Sequence, residues 1–275
     1  MRVAVVGHVE WVEFLRVDHV PRAGEIIQGV PLVSVPAGGG GVAAVALARW
    51  GAGSLFFTAL GDDELGHRAA ADLRARGVSL HTTHRHEPQR RAVTLVDAQR
   101  ERTIILTGER HVARASDPLP WPELATCAAV YITGGDVDAV RAARAAPVVV
   151  STSRILPLLR QSGIQLDALV GSDDDPVEAY ADGDLPVRPR LVVRTNGRHG
   201  GTFQLAGGAV QTYAPVPTVV TGDTYGAGDT FAAALTYALG EGRQPADAVA
   251  FAAARAAEVL AFVGPYPPAP ATREA

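Results

Sequence analysis

The chain has 275 residues, 47% of them hydrophobic and 20% charged, with a formal net charge of -4. That balance suits one large globular domain or two small ones and excludes a disordered chain, and the lack of a long basic run argues against a nucleic-acid surface. All 25 basic residues are arginine, which excludes a P-loop lysine, a pyridoxal Schiff base and a protein-kinase-type lysine, so a phosphate handled here must be neutralised by arginine, backbone amides or metal.

In chain order, β-rich runs alternate with alanine-rich helical stretches. Val3 to Val6 is followed by a helix from about Gly41 to Trp50, then Leu55 to Ala59 and a helix from about Gly66 to Arg76. The pattern resumes with Ala129 to Ile132, the helix Val137 to Arg144, Val148 to Ser151, Ala168 to Val170, Leu191 to Arg194, and helices from Asp229 and Pro245. Such alternation predicts a mainly parallel sheet covered by helices on both faces. Two segments break the rhythm, about 10–35 and 90–107. In the second, Ala92 to Val96 and Thr103 to Leu106 flank a polar turn and read as a hairpin. The two segments together read as a small β lid on one domain spanning 1–275; an ordinary edge meander is the alternative. The Pro-rich tail from Gly264 is expected to be loosely held. No segment approaches about 18 uninterrupted apolar residues, and Met1 runs straight into a strand-like run, so no membrane contact and a cytoplasmic location are expected. Cys127, the single cysteine, sits in an apolar stretch and reads as a buried small side chain.

Residues 222 to 233 carry the clearest chemistry. Gly226, Ala227 and Gly228 let backbone N–H groups converge ahead of the apolar helix Phe231 to Leu239, whose positive end suits a phosphate. Asp229 beside an anion site makes sense as a base that takes a proton from an attacking hydroxyl. The alternative is Asp229 as the helix N-cap. Gly38, Gly39, Gly40 and Gly41 open the helix Val42 to Trp50 and leave room for a ligand, or form a flexible linker. The turn from Thr195 to Gly201 follows a strand at the sheet edge where α/β proteins bind ligands, with a plain hairpin as the alternative.

The stretch Asp223 to Phe231, the glycines at 38 and 39, and the turn Gly61-Asp62-Asp63-Glu64-Leu65-Gly66 occur in an order that resembles the ribokinase-like (PfkB) family of carbohydrate and nucleoside kinases. The resemblance runs from Val3 to about Gly264. It implies a three-layer α/β/α fold with a mostly parallel central sheet and a β lid, and transfer of the γ-phosphate of ATP to a hydroxyl of a sugar or ribose-containing compound, or of a nucleoside. It implies Asp229 as catalytic base and the amides of Gly226, Ala227 and Gly228 as the anion hole. Thr195, Gly197 and Gly200 would form the nucleotide loop, and Asp223 with the Tyr225 carbonyl a monovalent-cation loop for an ion such as K⁺. Gly38, Gly39, Gly40 and Glu10 fall at the acceptor site. Ser172 to Asp175 stands where the family has Asn-x-x-Glu, giving Asp175 a role toward Mg²⁺ and Ser172 one toward nucleotide. Ala43 and Val12 replace the usual substrate-binding asparagine and aspartate, so Glu10 is either a substitute contact or an exposed lid residue. A fold-retaining, non-catalytic binding or regulatory protein is the competing reading; a homodimer through the lid edge is expected.

Overall fold

The computed structural model describes residues 1–267. Its strands are β1 (Arg2–Val6), β2 (Glu10–Arg16), β3 (Val30–Ala37), β4 (Gly53–Gly61), β5 (Ser79–Arg85), β6 (Arg91–Val96), β7 (Arg102–Thr107), β8 (Ala129–Ile132), β9 (Val148–Thr152), β10 (Ala168–Ser172), β11 (Leu191–Thr195), β12 (Gly201–Leu205) and β13 (Val210–Tyr213). The helices are α1 (Gly38–Arg49), α2 (Glu64–Ala75), α3 (Val137–Ala143), α4 (Leu156–Ser162), α5 (Ala227–Gly240) and α6 (Pro245–Val259).

Nine strands form one sheet in the order β13-β12-β11-β10-β9-β8-β1-β4-β5, parallel from β5 to β11, with β12 and β13 added as antiparallel strands. Alternation along β1 explains why helices are needed on both faces. Val3 and Val5 point into a core with α1, α2, α5 and α6, whereas Ala4 and Val6 point into a second core with α3 and α4. The chain leaves β1 toward β4 and β5 and returns as β8 on its other side. Open α/β sheets bind ligands at the carboxyl ends of strands beside such a reversal.

The segments that broke the rhythm form a second sheet, ordered β3-β2-β6-β7, and the β6–β7 hairpin is antiparallel as expected. Gln89 fastens this sheet to the larger one. Its side chain accepts from Gly61 N at 3.0 Å at the end of β4 and donates to Val9 O at 2.8 Å ahead of β2. The Gly61–Gly66 turn adds Asp63, which caps α2 by accepting from Gly66 N at 2.9 Å and also accepts from Gln89 N.

Two expectations need correction. The α1 helix begins at Gly38, so the four glycines are its first turn rather than a loop before it. Tertiary packing overrides their poor helix propensity: a Cβ on Gly40 would stand 2.7 Å from His8 O and 2.8 Å from Phe56 Cζ. The tail from Gly264 is anchored at its start, since Gly264 N donates to Asp223 and the buried Tyr266 hydroxyl donates to Pro36 O at 2.7 Å; residues 268–275 lie outside the described residues. The turn at Thr195 does lead into a hairpin, β11–β12, which β13 extends. Strand β5 and helix α4 are further elements that the sequence pattern did not single out. Cys127 is buried, as its apolar setting suggested.

Candidate active site

Helix α5 packs on α1, β8 and β9 and starts against the first turn of α1. Gly226 caps it in the left-handed region (φ 79°), and a Cβ there would also meet Val42 Cγ1 at 3.1 Å. The first helical bond runs from Thr230 N to Gly226 O at 2.9 Å, so the amides of Ala227, Gly228 and Asp229 precede it and have no intrahelical acceptor. Nothing lies within 4 Å of a Cβ built on Gly228, which leaves the turn open on that side. Asp229 is the third residue of α5, not its cap, and its carboxylate makes no capping bond.

The start of α1 faces this turn. A Cβ on Gly39 would stand 2.9 Å from Asp229 Oδ1 and 2.7 Å from Thr133 Oγ1, so the glycine backbone, the Asp229 carboxyl and Thr133 after β8 meet at one point. Burial, reinforced by the nearby Glu178 carboxylate, raises the Asp229 carboxyl to about 6 against the pull of Arg154 and Arg102. The carboxyl is therefore held near neutrality, where a group can both take and release a proton.

Beyond Gly38 the crevice is lined by the chain between β1 and β2. Glu10 is buried, which removes the exposed-lid reading; Arg90 Nε lies 3.0 Å from its Oε1, and His8 Nε2 lies 3.7 Å from the same oxygen. Burial raises the Glu10 carboxyl above its usual range, opposed by Arg90, Arg110 and Arg154. Burial pulls His8 down to about 3, helped by Arg110 and Arg90, so its ring is neutral, and its Nδ1 has no hydrogen-bond partner. Val12 and Ala43 are fully buried in the apolar core.

At the ends of β9, β10 and β11 a second cleft is lined by Ser153, Gly171, Ser172, Asp173, Asp175 and Glu178. Ser172 N donates to Glu178 Oε2 at 2.9 Å, and Arg154 Nη2 bridges Glu178 at 2.5 Å and Asp175 at 2.6 Å. Asp175 also accepts from Val177 N, and hydrogen bonding there holds its carboxyl below the usual range. Thr195 Oγ1 donates to Gly171 O across the strands, and Gly197 and Gly200 carry the turn back into β12. Among the described residues no group of three or more His, Cys, Asp or Glu is placed to hold a metal.

Asp223 is fully buried and accepts from Tyr225 N at 2.7 Å and Gly264 N at 2.8 Å; its burial raises the carboxyl while these bonds lower it. Tyr225 receives a hydrogen bond from Gly38 N at 3.4 Å and packs edge-on against Phe14 of β2 at 4.9 Å, a contact of about 0.5–1.5 kcal/mol beyond its buried area. From the tip of the β6–β7 hairpin, Arg100 donates to Thr221 O and Gly222 O, and Arg102 donates to Thr224 Oγ1 at 2.7 Å. The small sheet is thus tied to the turn that precedes α5.

The family pattern described as pfkB family carbohydrate kinase matches residues 1–153 and 159–272. The chain belongs to the pfkB family. It is accordingly a phosphotransferase with an alcohol group as acceptor, a sugar or nucleoside kinase. No protein of curated function matches it in sequence. Among solved structures, a ribokinase from Thermotoga maritima is 21% identical with a TM-score of 0.76, the match covering 96% of this chain and 94% of that one. A ribokinase from Arabidopsis thaliana complexed with ribose and ATP is 20% identical, TM-score 0.74, covering 96% of each chain. An adenosine kinase from Sinorhizobium meliloti is 20% identical, TM-score 0.79, covering 98% of this chain and 95% of that one. At such identities these likenesses establish the ribokinase-like fold.

For a pfkB kinase, several groups around Asp229 and Glu10 were not legible in the sequence: Thr133, Arg154, Glu178 and Arg102 near the first, Arg90 and Arg110 near the second. They come from six different segments, and the spacing of residues along a chain carries no signal for contacts of that range. Glu178, six residues past Ser172, had one local clue in the acidic stretch that begins at Asp173.

Proposed function

We propose that this pfkB kinase transfers the γ-phosphate of ATP to a hydroxyl of a sugar or ribose-containing acceptor, with Asp229 as the general base. The reading is carried by one observation above all: a carboxyl raised to about 6 at the open amide turn that starts α5, pressed against Gly39 at the acceptor side. Asp229 takes the hydroxyl proton as that oxygen forms its bond to the γ-phosphorus, and the bond to ADP breaks with its electron pair leaving on ADP. The amides of Gly226, Ala227 and Gly228, with the positive end of α5, face the charge that spreads over the transferring group. Ser172, Thr195, Gly197 and Gly200 hold the nucleotide; Gly38, Gly39, Gly40 and Glu10 shape the acceptor site.

Arginine does here what lysine does elsewhere. Arg102 and Arg154 act electrostatically on Asp229 from opposite sides of the crevice, one on the small sheet and one after β9. The carboxylates at 175 and 178 fit a magnesium ion that arrives on the nucleotide phosphates and meets the protein through water, because both are already engaged by Arg154. Magnesium so placed would lower the charge of the phosphates. Asp223 and the Tyr225 carbonyl are assigned to a monovalent-cation loop. The small sheet, about 10–35 and 90–107 within a single 1–275 unit, is assigned as the lid, which Arg100 and Arg102 tie to the turn before α5.

A nucleoside acceptor is the second reading, favoured by the likeness to the adenosine kinase. A cytoplasmic location is part of the proposal.

Activity tests the base directly. With any accepted hydroxyl, kcat/KM should fall about tenfold per pH unit below 6 and level off above about pH 7, because the unprotonated Asp229 is the active form. A profile flat between pH 5 and 8 would remove Asp229 from the role.

The outer strand β7 leaves Ile104, Ile105 and Leu106 exposed along an unpaired edge, which supports a homodimer through the lid. Sedimentation should give twice the 28.7 kDa chain mass for the wild type and a monomer for Ile105→Arg. A wild-type monomer at high concentration would refute the pairing.

A further inference from the structure

The arginines of the crevice divide into two sets. Arg154 and Arg102 act on Asp229, whereas Arg90 and Arg110 are the cations that act most strongly on His8 and Glu10, at the acceptor end. Arg90 stands just ahead of β6 with its side chain 14% exposed, and its Nε, though 3.0 Å from Glu10 Oε1, is not aligned for a hydrogen bond. Gly108, two residues before Arg110, backs against the Cα of Arg90, and the two arginines are near enough to act on each other electrostatically.

Charge does not balance there. Among the described residues Arg110 forms no ion pair, and the one carboxylate that acts on it is Glu10, which Arg90 already holds. Arg90 is nearly buried and Arg110 is exposed beside it, and two neighbouring guanidinium groups repel each other unless a further anion joins them. Arg154 adds to the positive field at Glu10, although its own charge is taken up by Asp175 and Glu178. Val12 and Ala43 are fully buried in the apolar core and offer no polar group to a neutral polyol.

We infer that the acceptor of this kinase carries an anionic group, a carboxylate or a phosphate monoester, bound by Arg110 and Arg90. The anion sits at the lid end of the crevice, and the hydroxyl to be phosphorylated lies at the other end, over Gly39 and against Asp229. Arg110 and Arg90 are specificity-determining residues. This inference rests on the kinase reading and names the acceptor class for it.

The experiment uses gluconate and fructose 6-phosphate as the two anion types, with glucose and fructose as neutral counterparts. Binding is read as a thermal shift without nucleotide, and turnover as ADP formed from ATP with magnesium. At least one anion should raise the melting temperature where its neutral counterpart does not, and its KM should be lower by about 30-fold or more. Which of the two anions binds separates a carboxylate from a phosphate site. Arg110→Ala should abolish that preference and Arg110→Lys should restore part of it, while the melting temperature of the free protein stays that of the wild type because Arg110 is exposed and, among the described residues, forms no ion pair. Equal shifts for an anion and its neutral counterpart, no anion preferred in either assay, or an undiminished preference in Arg110→Ala would overturn the inference. If an anion shifts the wild type and not Arg110→Ala but no acceptor consumes ATP, the inference stands and the kinase reading falls.

Discussion

Replacing Asp229 by Asn should lower kcat by about 10³-fold or more while leaving nucleotide affinity near the wild-type value, since general-base catalysis contributes about 10² to 10⁴ and the amide retains the shape but not the basicity. The same substitution should stabilise the fold. The folded-state value of about 6 stands above the ordinary 3.8, so the carboxyl favours the folded state below pH 4 and that contribution is lost as pH rises through 6. The neutral Asn escapes this loss. At pH 8 the variant should therefore melt above the wild type, by an amount that corresponds to no more than about 3 kcal/mol, and the two should converge below pH 4. Kinetics and calorimetry across pH check both halves. An inactive variant that is also less stable at pH 8 would point to a structural role for the carboxylate.

The second large effect is expected at Gly39. A methyl group there would stand 2.7 Å from Thr133 Oγ1 and 2.9 Å from Asp229 Oδ1, closer than side-chain carbons approach oxygen, so one of the two must move. Either shift disturbs the point where the starts of α1 and α5 meet, and the second contact acts on the Asp229 carboxyl directly. Gly39→Ala should cost about 1–3 kcal/mol of stability by overpacking, and kcat should drop by about 10²-fold, the penalty of misplacing a reacting group by about 1 Å. Gly228→Ala, where a Cβ meets nothing within 4 Å, is the internal control for glycine loss near the same helix and should retain the fold with only a small change in melting temperature. If Gly39→Ala turns over as fast as the wild type, the two helix starts do not meet at the reacting atoms.

What the sequence disclosed was local. The Asp229 turn could be read because its glycines, its carboxylate and the apolar run of α5 are contiguous, and the glycines at 38 to 41 could be read as a backbone approach for the same reason. Their helical state could not, because it depends on His8 of the β1–β2 connection and Phe56 of β4 pressing against Gly40. Strand β5, Ser79 to Arg85, hid behind a half-buried polar run, His-Thr-Thr-His-Arg, that lacks the apolar signal of the inner strands. Glu10 looked as suited to solvent as to a site, and only its burial beside Arg90 distinguishes the two. Arg90, Arg110 and Arg154 leave no motif at all. They gather because β2 pairs with β6 in parallel and because β9 delivers its loop to the same edge.

Phosphorus NMR of the reaction mixture tests the central claim most directly. With ATP, magnesium and an accepted acceptor, the wild type should produce one new phosphate monoester resonance in step with ADP, and Asp229→Asn should produce neither over the same period. Release of inorganic phosphate alone, or the same ester formed at the wild-type rate by Asp229→Asn, would contradict the account.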